Sequence, residues 1–159
     1  MVPNEQLKRS DVPPPGADWR PDPDVIWIDL LEPTREEELA VEAVLEIELP
    51  TVAEMEALEP SSRLYQEDGA TFMTATLLAN SEAAVPTATP VTFALARDLL
   101  ITVRYADLKA FRIYAERARD AANAGDAVLG LLEAVVERAA RVLDGVGDKT
   151  EEVSRTIFS

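Results

Sequence analysis

The chain has 159 residues, 47% of them apolar, with thirty acidic against fifteen basic side chains and a formal charge of -15. That surplus repels phosphate backbones and anionic headgroups, so no nucleic acid partner is expected. With neither cysteine nor histidine, thiolate and imidazole metal sites, Ser-His-Asp triads and disulfides are excluded, and any bound metal takes oxygen ligands, which points to hard cations such as Mg2+ or Ca2+.

Residues 1–24 hold six of the eleven prolines and no apolar signal core, and they read as a flexible, extended Pro-rich leader. No stretch of the chain approaches the ~20 apolar residues that span a bilayer. Val25 to Leu31, "VIWIDLL", is β-branched and aromatic with Asp29 as its one charge, the pattern of a buried strand. Glu32 and Pro33 end it. Thr34 to Glu37, "TREE", is a capping box that opens a helix whose apolar stripe is Leu39, Ala40, Ala43, Val44 and Ile47, with Glu36, Glu38, Glu42 and Glu46 largely off it. Thr51 to Glu54, "TVAE", repeats the device for a short second helix. Between Asp29 and Glu59 stand eleven acids and one base, Arg35, which concentrates a net -10 in this segment.

Asp68-Gly69 separates "RLYQE" from "TFMTATLLA" as a tight hairpin turn, and Arg97-Asp98 separates "VTFALA" from "LLITVRY" as a second one. Ser81 to Thr89 is the expected loop between the hairpins. Asp107 is placed to cap a helix through about Asn123, with Phe111, Tyr114, Ala115 and Ala118 inward. From Asp126 onward, Val128, Leu132, Val135, Ala139, Val142, Val146, Val153 and Ile157 follow a coiled-coil-like seam, and no glycine cap or proline closes the helix after Phe158. The expected division is a leader at 1–24, an α/β domain at 25–125 and the start of a long helix at 126–159. Scattered glycines without a phosphate-binding loop, and no nucleophile with a partnered base, argue against an enzyme.

The strings "VIWIDLLEPTREEE", "LPTVAEMEALEPSSRLYQEDGATFMTATLL", "PVTFALARDLLITVRY" and "LLEAVVERAARVLDGVGDKTEEV", in this order over roughly Val25 to Phe158, resemble the N-terminal cytoplasmic domain of the CorA family of divalent-cation transporters, including its ZntB branch. The resemblance implies an α/β/α sandwich with a mixed, largely antiparallel sheet, followed by a long helix. It implies the cytoplasmic regulatory, ion-sensing part of a pentameric metal ion transporter at the inner membrane, a homo-oligomer. The two membrane spans and the Gly-Met-Asn signature of full-length members lie outside this sequence.

By the same resemblance, regulatory Mg2+ sits between neighbouring subunits on carboxylates. Glu54 falls on a family acidic position, Met55 stands where the family has an aspartate, and Glu56 is the nearest substitute. Glu133 and Glu137 fall on acidic positions of the long helix. Each carboxylate has a local reading as well: Glu54 completes a capping box, and Glu133 and Glu137 lie on a solvated face. Two alternatives stay open: a ZntB-like zinc transporter domain, and a free-standing acidic adaptor that binds a partner helix.

Overall fold

The computed structural model describes residues 6–7, 19–80 and 85–158. Six strands form one sheet: β1 (Gln6–Leu7), β2 (Trp27–Leu31), β3 (Leu64–Glu67), β4 (Ala70–Ala79), β5 (Thr87–Ala96) and β6 (Leu99–Arg104), in the spatial order β1-β2-β6-β5-β4-β3. β1 and β6 both run parallel to β2, while the β6-β5, β5-β4 and β4-β3 pairs are antiparallel. The sheet is thus mixed and largely antiparallel. Of the Pro-rich leader, residues 6–7 make the edge strand, and 1–5 and 8–18 lie outside the described residues.

Alternation along the strands sends successive side chains to opposite faces. Ile28, Leu30, Phe72, Ala94, Ile101 and Val103 point to one face and pack with Val41, Leu45 and Met55 from α1 (Arg35–Leu45) and α2 (Val52–Ala57). Trp27, Val91, Phe93 and Leu100 point to the other and pack with Phe111 and Tyr114 of α3 (Lys109–Arg117) and Ala127 and Leu131 of α4 (Ala124–Phe158). Helices cover both faces, giving the expected α/β/α sandwich with a long C-terminal helix.

Both hairpin turns form where the sequence places them. Asp68 and Gly69 have φ of 50° and 76°, and Arg97 and Asp98 have 48° and 62°, the doubly left-handed geometry that matches strand twist. The second turn lacks glycine, and Arg97 is held there by an ion pair to Glu46 and a 3.3 Å hydrogen bond to the carbonyl of Val44. Strand β5 starts at Thr87, earlier than the expected loop boundary. It accommodates Pro90 because β6 pairs with β5 only from Val91 onward, so the proline's missing N–H removes no bond to β6.

Both predicted capping boxes are present, Thr34 with Glu37 and Thr51 with Glu54. The apolar stripe of α1 differs from expectation. Val41 and Leu45 are buried, Leu39 is 48% exposed, and the helix ends in a left-handed Glu46, so that Ile47 and Leu49 enter the core from the following loop. Rotation of the helix turns Glu38 and Glu42 inward, where Tyr105 bonds Glu38 and the backbone N–H of Leu49 bonds Glu42, while Arg35 at the start of the same helix pairs with both.

The predicted cap at Asp107 does not form. Leu108 precedes α3 without a side-chain cap, because Asp107 is engaged by Arg112 and, at 3.7 Å, by Arg104. The helix gives way to a 3-10 turn at Ala118–Asp120, short of Asn123. In α4 the fully buried residues are Ala124, Ala127 and Leu131, while Val128, Leu132 and Val135 pack at the margin of the same core. Beyond Val142 every described residue of α4 is exposed, so the helix extends past the sandwich.

Candidate functional site

The four candidate carboxylates sit on two helices. Glu54, the third residue of α2, is solvent-exposed and accepts hydrogen bonds from the backbone N–H of Thr51 at 2.7 Å and its hydroxyl at 2.9 Å. The backbone bond first, then the hydroxyl, holds its pKa below the ordinary carboxylate value, so Glu54 stays charged. Glu56 is exposed two positions on. Met55 between them is 3% exposed and turned to the sheet, with the Thr92 hydroxyl 2.8 Å from its sulfur and Thr92 bonded in turn to Thr74 at 2.8 Å. Met55 is a packing residue. Any side chain at this position faces the core, away from a surface cation, and a thioether is in any case a poor ligand for Mg2+.

Glu133 and Glu137 are both exposed on α4. Since α2 packs on one face of the sheet and α4 on the other, the sheet stands between Glu54 and Glu56 on one side and Glu133 and Glu137 on the other. Among the described residues no group of three or more carboxylates is arranged to hold a metal. Within one chain these residues do not make a common site; a cation shared by both pairs requires two copies of the chain.

The buried polar chemistry lies elsewhere. On the α3 face of the sheet, Arg104 grips Asp29 through Nη2–Oδ2 at 2.6 Å and Nε–Oδ1 at 3.0 Å. Thr102 donates its hydroxyl to Asp29 Oδ1 at 2.8 Å and accepts from the indole N–H of Trp27 at 3.0 Å. Arg104 also donates to the carbonyl of Ala106 and lies 4.8 Å from the centre of the Phe111 ring. Asp29 and Arg104 are 1% and 6% exposed at their side chains. A carboxylate so enclosed and so fully bonded serves the fold; no substrate reaches it. Its partner was readable only from strand register: Asp29 stands opposite Thr102, which places Arg104 diagonally on the same face.

Tyr105 donates to Glu38 at 3.3 Å, and burial, reinforced by the Glu38 charge, pushes its phenol up to about 12. It is no proton donor near neutrality. A groove of about 550 Å³ runs between the end of β4, the start of α3 and the middle of α4; Leu78, Val85, Lys109, Arg112, Ala139 and Val142 are among its walls. None of the four candidate carboxylates lines it. Among the described residues no helix is long and apolar enough to cross a membrane.

A family profile described as CorA-like Mg2+ transporter protein matches residues 22–159. The magnesium transport protein CorA of Mannheimia succiniciproducens is 34% identical over 137 residues, which is 84% of this chain and 43% of that protein. That of Salmonella typhimurium is 34% identical over 140 residues, 85% of this chain and 44% of that protein. That of Escherichia coli K12 is 30% identical over 159 residues, 98% of this chain and 49% of that protein. The chain therefore spans a little under half the length of the curated relatives it matches. In structure it is similar to the soluble domain of CorA from Methanocaldococcus jannaschii, with a TM-score of 0.65 at 18% identity, covering 83% of this chain and 55% of that one. A likeness at that identity speaks to the fold.

Proposed function

The chain belongs to the CorA-like Mg2+ transporter family, and from that premise we propose that it is the cytoplasmic regulatory part of a magnesium transporter, sensing the ion and contacting its neighbours in a homo-oligomer while other segments conduct. The transported Mg2+ is the cargo of the whole protein. The observation that carries the regulatory reading is the split of the acidic helices across the sheet. With Glu54 and Glu56 on one face and Glu133 and Glu137 on the other, a cation bridging the two sets joins two subunits and so reports on their arrangement.

The donor set suits such a role. Mg2+ retains several waters and binds through one or two carboxylates per partner, which exposed helix faces supply. Glu54 is held ionised and oriented by Thr51. An occupied site offsets the repulsion between acidic faces, and an emptied one restores it, which biases the assembly between two arrangements. A pentamer in the full-length protein, at the cytoplasmic face of the inner membrane, is part of this proposal. The burial of Met55 at the position of the family aspartate favours one second reading, a ZntB-like zinc transporter domain in which the regulatory Mg2+ site has been lost.

Thermal unfolding of the 159-residue chain in MgCl2 against NaCl of matched ionic strength tests the sensing role. Mg2+ bound only to the folded state adds RT ln(1 + [L]/Kd) and raises the midpoint. The gain should disappear in the Glu56→Gln/Glu133→Gln variant. Equal midpoints in the two salts would count against ion sensing and in favour of the ZntB-like reading.

A further inference from the structure

The groove between the end of β4, the start of α3 and the middle of α4 reverses the charge balance of the chain. The sequence carries thirty acids against fifteen bases. Among the described residues that line the groove, three are cationic, Lys109, Arg112 and Arg138, and one is acidic, Asp107. Asp107 is itself shared between Arg112 and Arg104. Lys109 and Arg138 are engaged as well, so the groove holds a positive balance rather than bare charges, and an incoming anion joins or exchanges partners there.

Helical spacing brings these cations together. Lys109 and Arg112 stand three apart on α3. Arg138 stands with Val135, Ala139 and Val142 at i, i+3, i+4 and i+7 on α4, so the same face of that helix is both aliphatic and charged. Opposite them, Leu78 and Val85 are 47% and 77% exposed and add apolar surface for a ligand to cover. A volume of about 550 Å³ is that of a small-molecule site.

The walls select the chemistry of the occupant. Guanidinium forks match a carboxylate in plane and in hydrogen-bond geometry. Among the described residues no aromatic side chain lines the groove, so a flat base or ring finds no stacking platform and an aliphatic body fits better. A polyanion meets the repulsion of a chain of charge -15, whereas a ligand with a single charge at one end meets least of it. We propose that this groove binds a small aliphatic carboxylate, its head among Lys109, Arg112 and Arg138 and its tail along Leu78, Val85 and Val142. The site lies apart from the four candidate carboxylates and calls for neither Mg2+ nor a second copy of the chain.

Titration of the 159-residue chain with octanoate in EDTA, followed by calorimetry and by amide NMR shifts, tests it. Saturable binding at one site is expected, with shifts gathered at residues 76–80, 107–112 and 135–142. Acetate, which lacks the tail, and octyltrimethylammonium, which reverses the charge, should each bind at least ~10-fold more weakly, the weight of one charge-assisted hydrogen bond or of a few buried methylenes. Arg138→Gln and Val142→Asp should each weaken octanoate by a similar factor, and Glu137→Gln, beside Arg138 but off the groove, should not. Binding that does not saturate, that octyltrimethylammonium matches, or that both groove variants leave unchanged overturns the proposal. So does octyl phosphate binding where octanoate does not. The comparison of head groups is made on the parent chain and stands whatever the variants do to folding.

Discussion

Asp29 of β2 and Arg104 of β6 lie diagonally across a parallel strand pair and form a buried ion pair, with Thr102 bonded to Asp29, and the Ala106 carbonyl and the Phe111 ring against Arg104. Removing one partner leaves a charge uncompensated in the core. Arg104→Met or Asp29→Leu alone is therefore expected to lower stability by ~3–5 kcal/mol in urea unfolding, and the double substitution to recover most of that loss, since an apolar pair of similar volume often replaces a buried ion pair at little net cost. Recovery in the double variant separates this from mere damage to the core.

Gly130 permits the close approach of α3 to α4. A Cβ there would fall 2.2 Å from Cε2 of Tyr114 and 2.9 Å from its Cζ, whereas Gly145 and Gly147 meet nothing within 4 Å. Alanine is worth ~1 kcal/mol over glycine inside a helix. Gly145→Ala should raise stability by up to that amount, while Gly130→Ala should lower it by ~1–3 kcal/mol through overpacking against the ring. Opposite signs for the same substitution in one helix are the readout.

The second capping box predicts an acid-side signature. The folded-state pKa of Glu54 lies below its unfolded value. Its contribution is therefore complete above the ordinary carboxylate value, ~4.3, and fades as the pH falls through the lower folded value. Thr51→Ala removes the bonds responsible and should cost ~1 kcal/mol at neutral pH. The gap between parent and variant should narrow in melts taken below the ordinary carboxylate range.

All three tyrosines, Tyr65, Tyr105 and Tyr114, have raised pKa values, with burial the leading cause for each. Folded protein holds these protons more tightly than unfolded chain, so stability should fall as the pH rises from about 10, the unfolded value, toward the about 12 of Tyr105. Spectrophotometric titration should find little phenolate at pH ~10 in the native state and release of it on unfolding. Tyr105→Phe should flatten the alkaline slope without steepening the acid one.

What could be read from residues alone was whatever neighbouring residues decide between themselves. Thr34 and Glu37, Thr51 and Glu54, Asp68 and Gly69, and Arg97 and Asp98 act over three positions or fewer, and both caps and both turns stand where their spacing puts them. Strand content, the long last helix and the absence of imidazole and thiolate chemistry follow from periodicity and composition in the same way. Only the tertiary structure set what depends on distant partners. The rotation of α1 was decided by Tyr105 and the Leu49 amide engaging its carboxylates, against the simple apolar stripe. Arg112 and Arg104 drew Asp107 away from its capping role. The pairing of Asp29 with Arg104 needed the register of strands more than seventy residues apart. The separation of Glu54 and Glu56 from Glu133 and Glu137 needed the layer order of the sandwich. A cap or turn is settled by bonds a few atoms away, whereas which face a helix buries is settled by what the rest of the chain offers it.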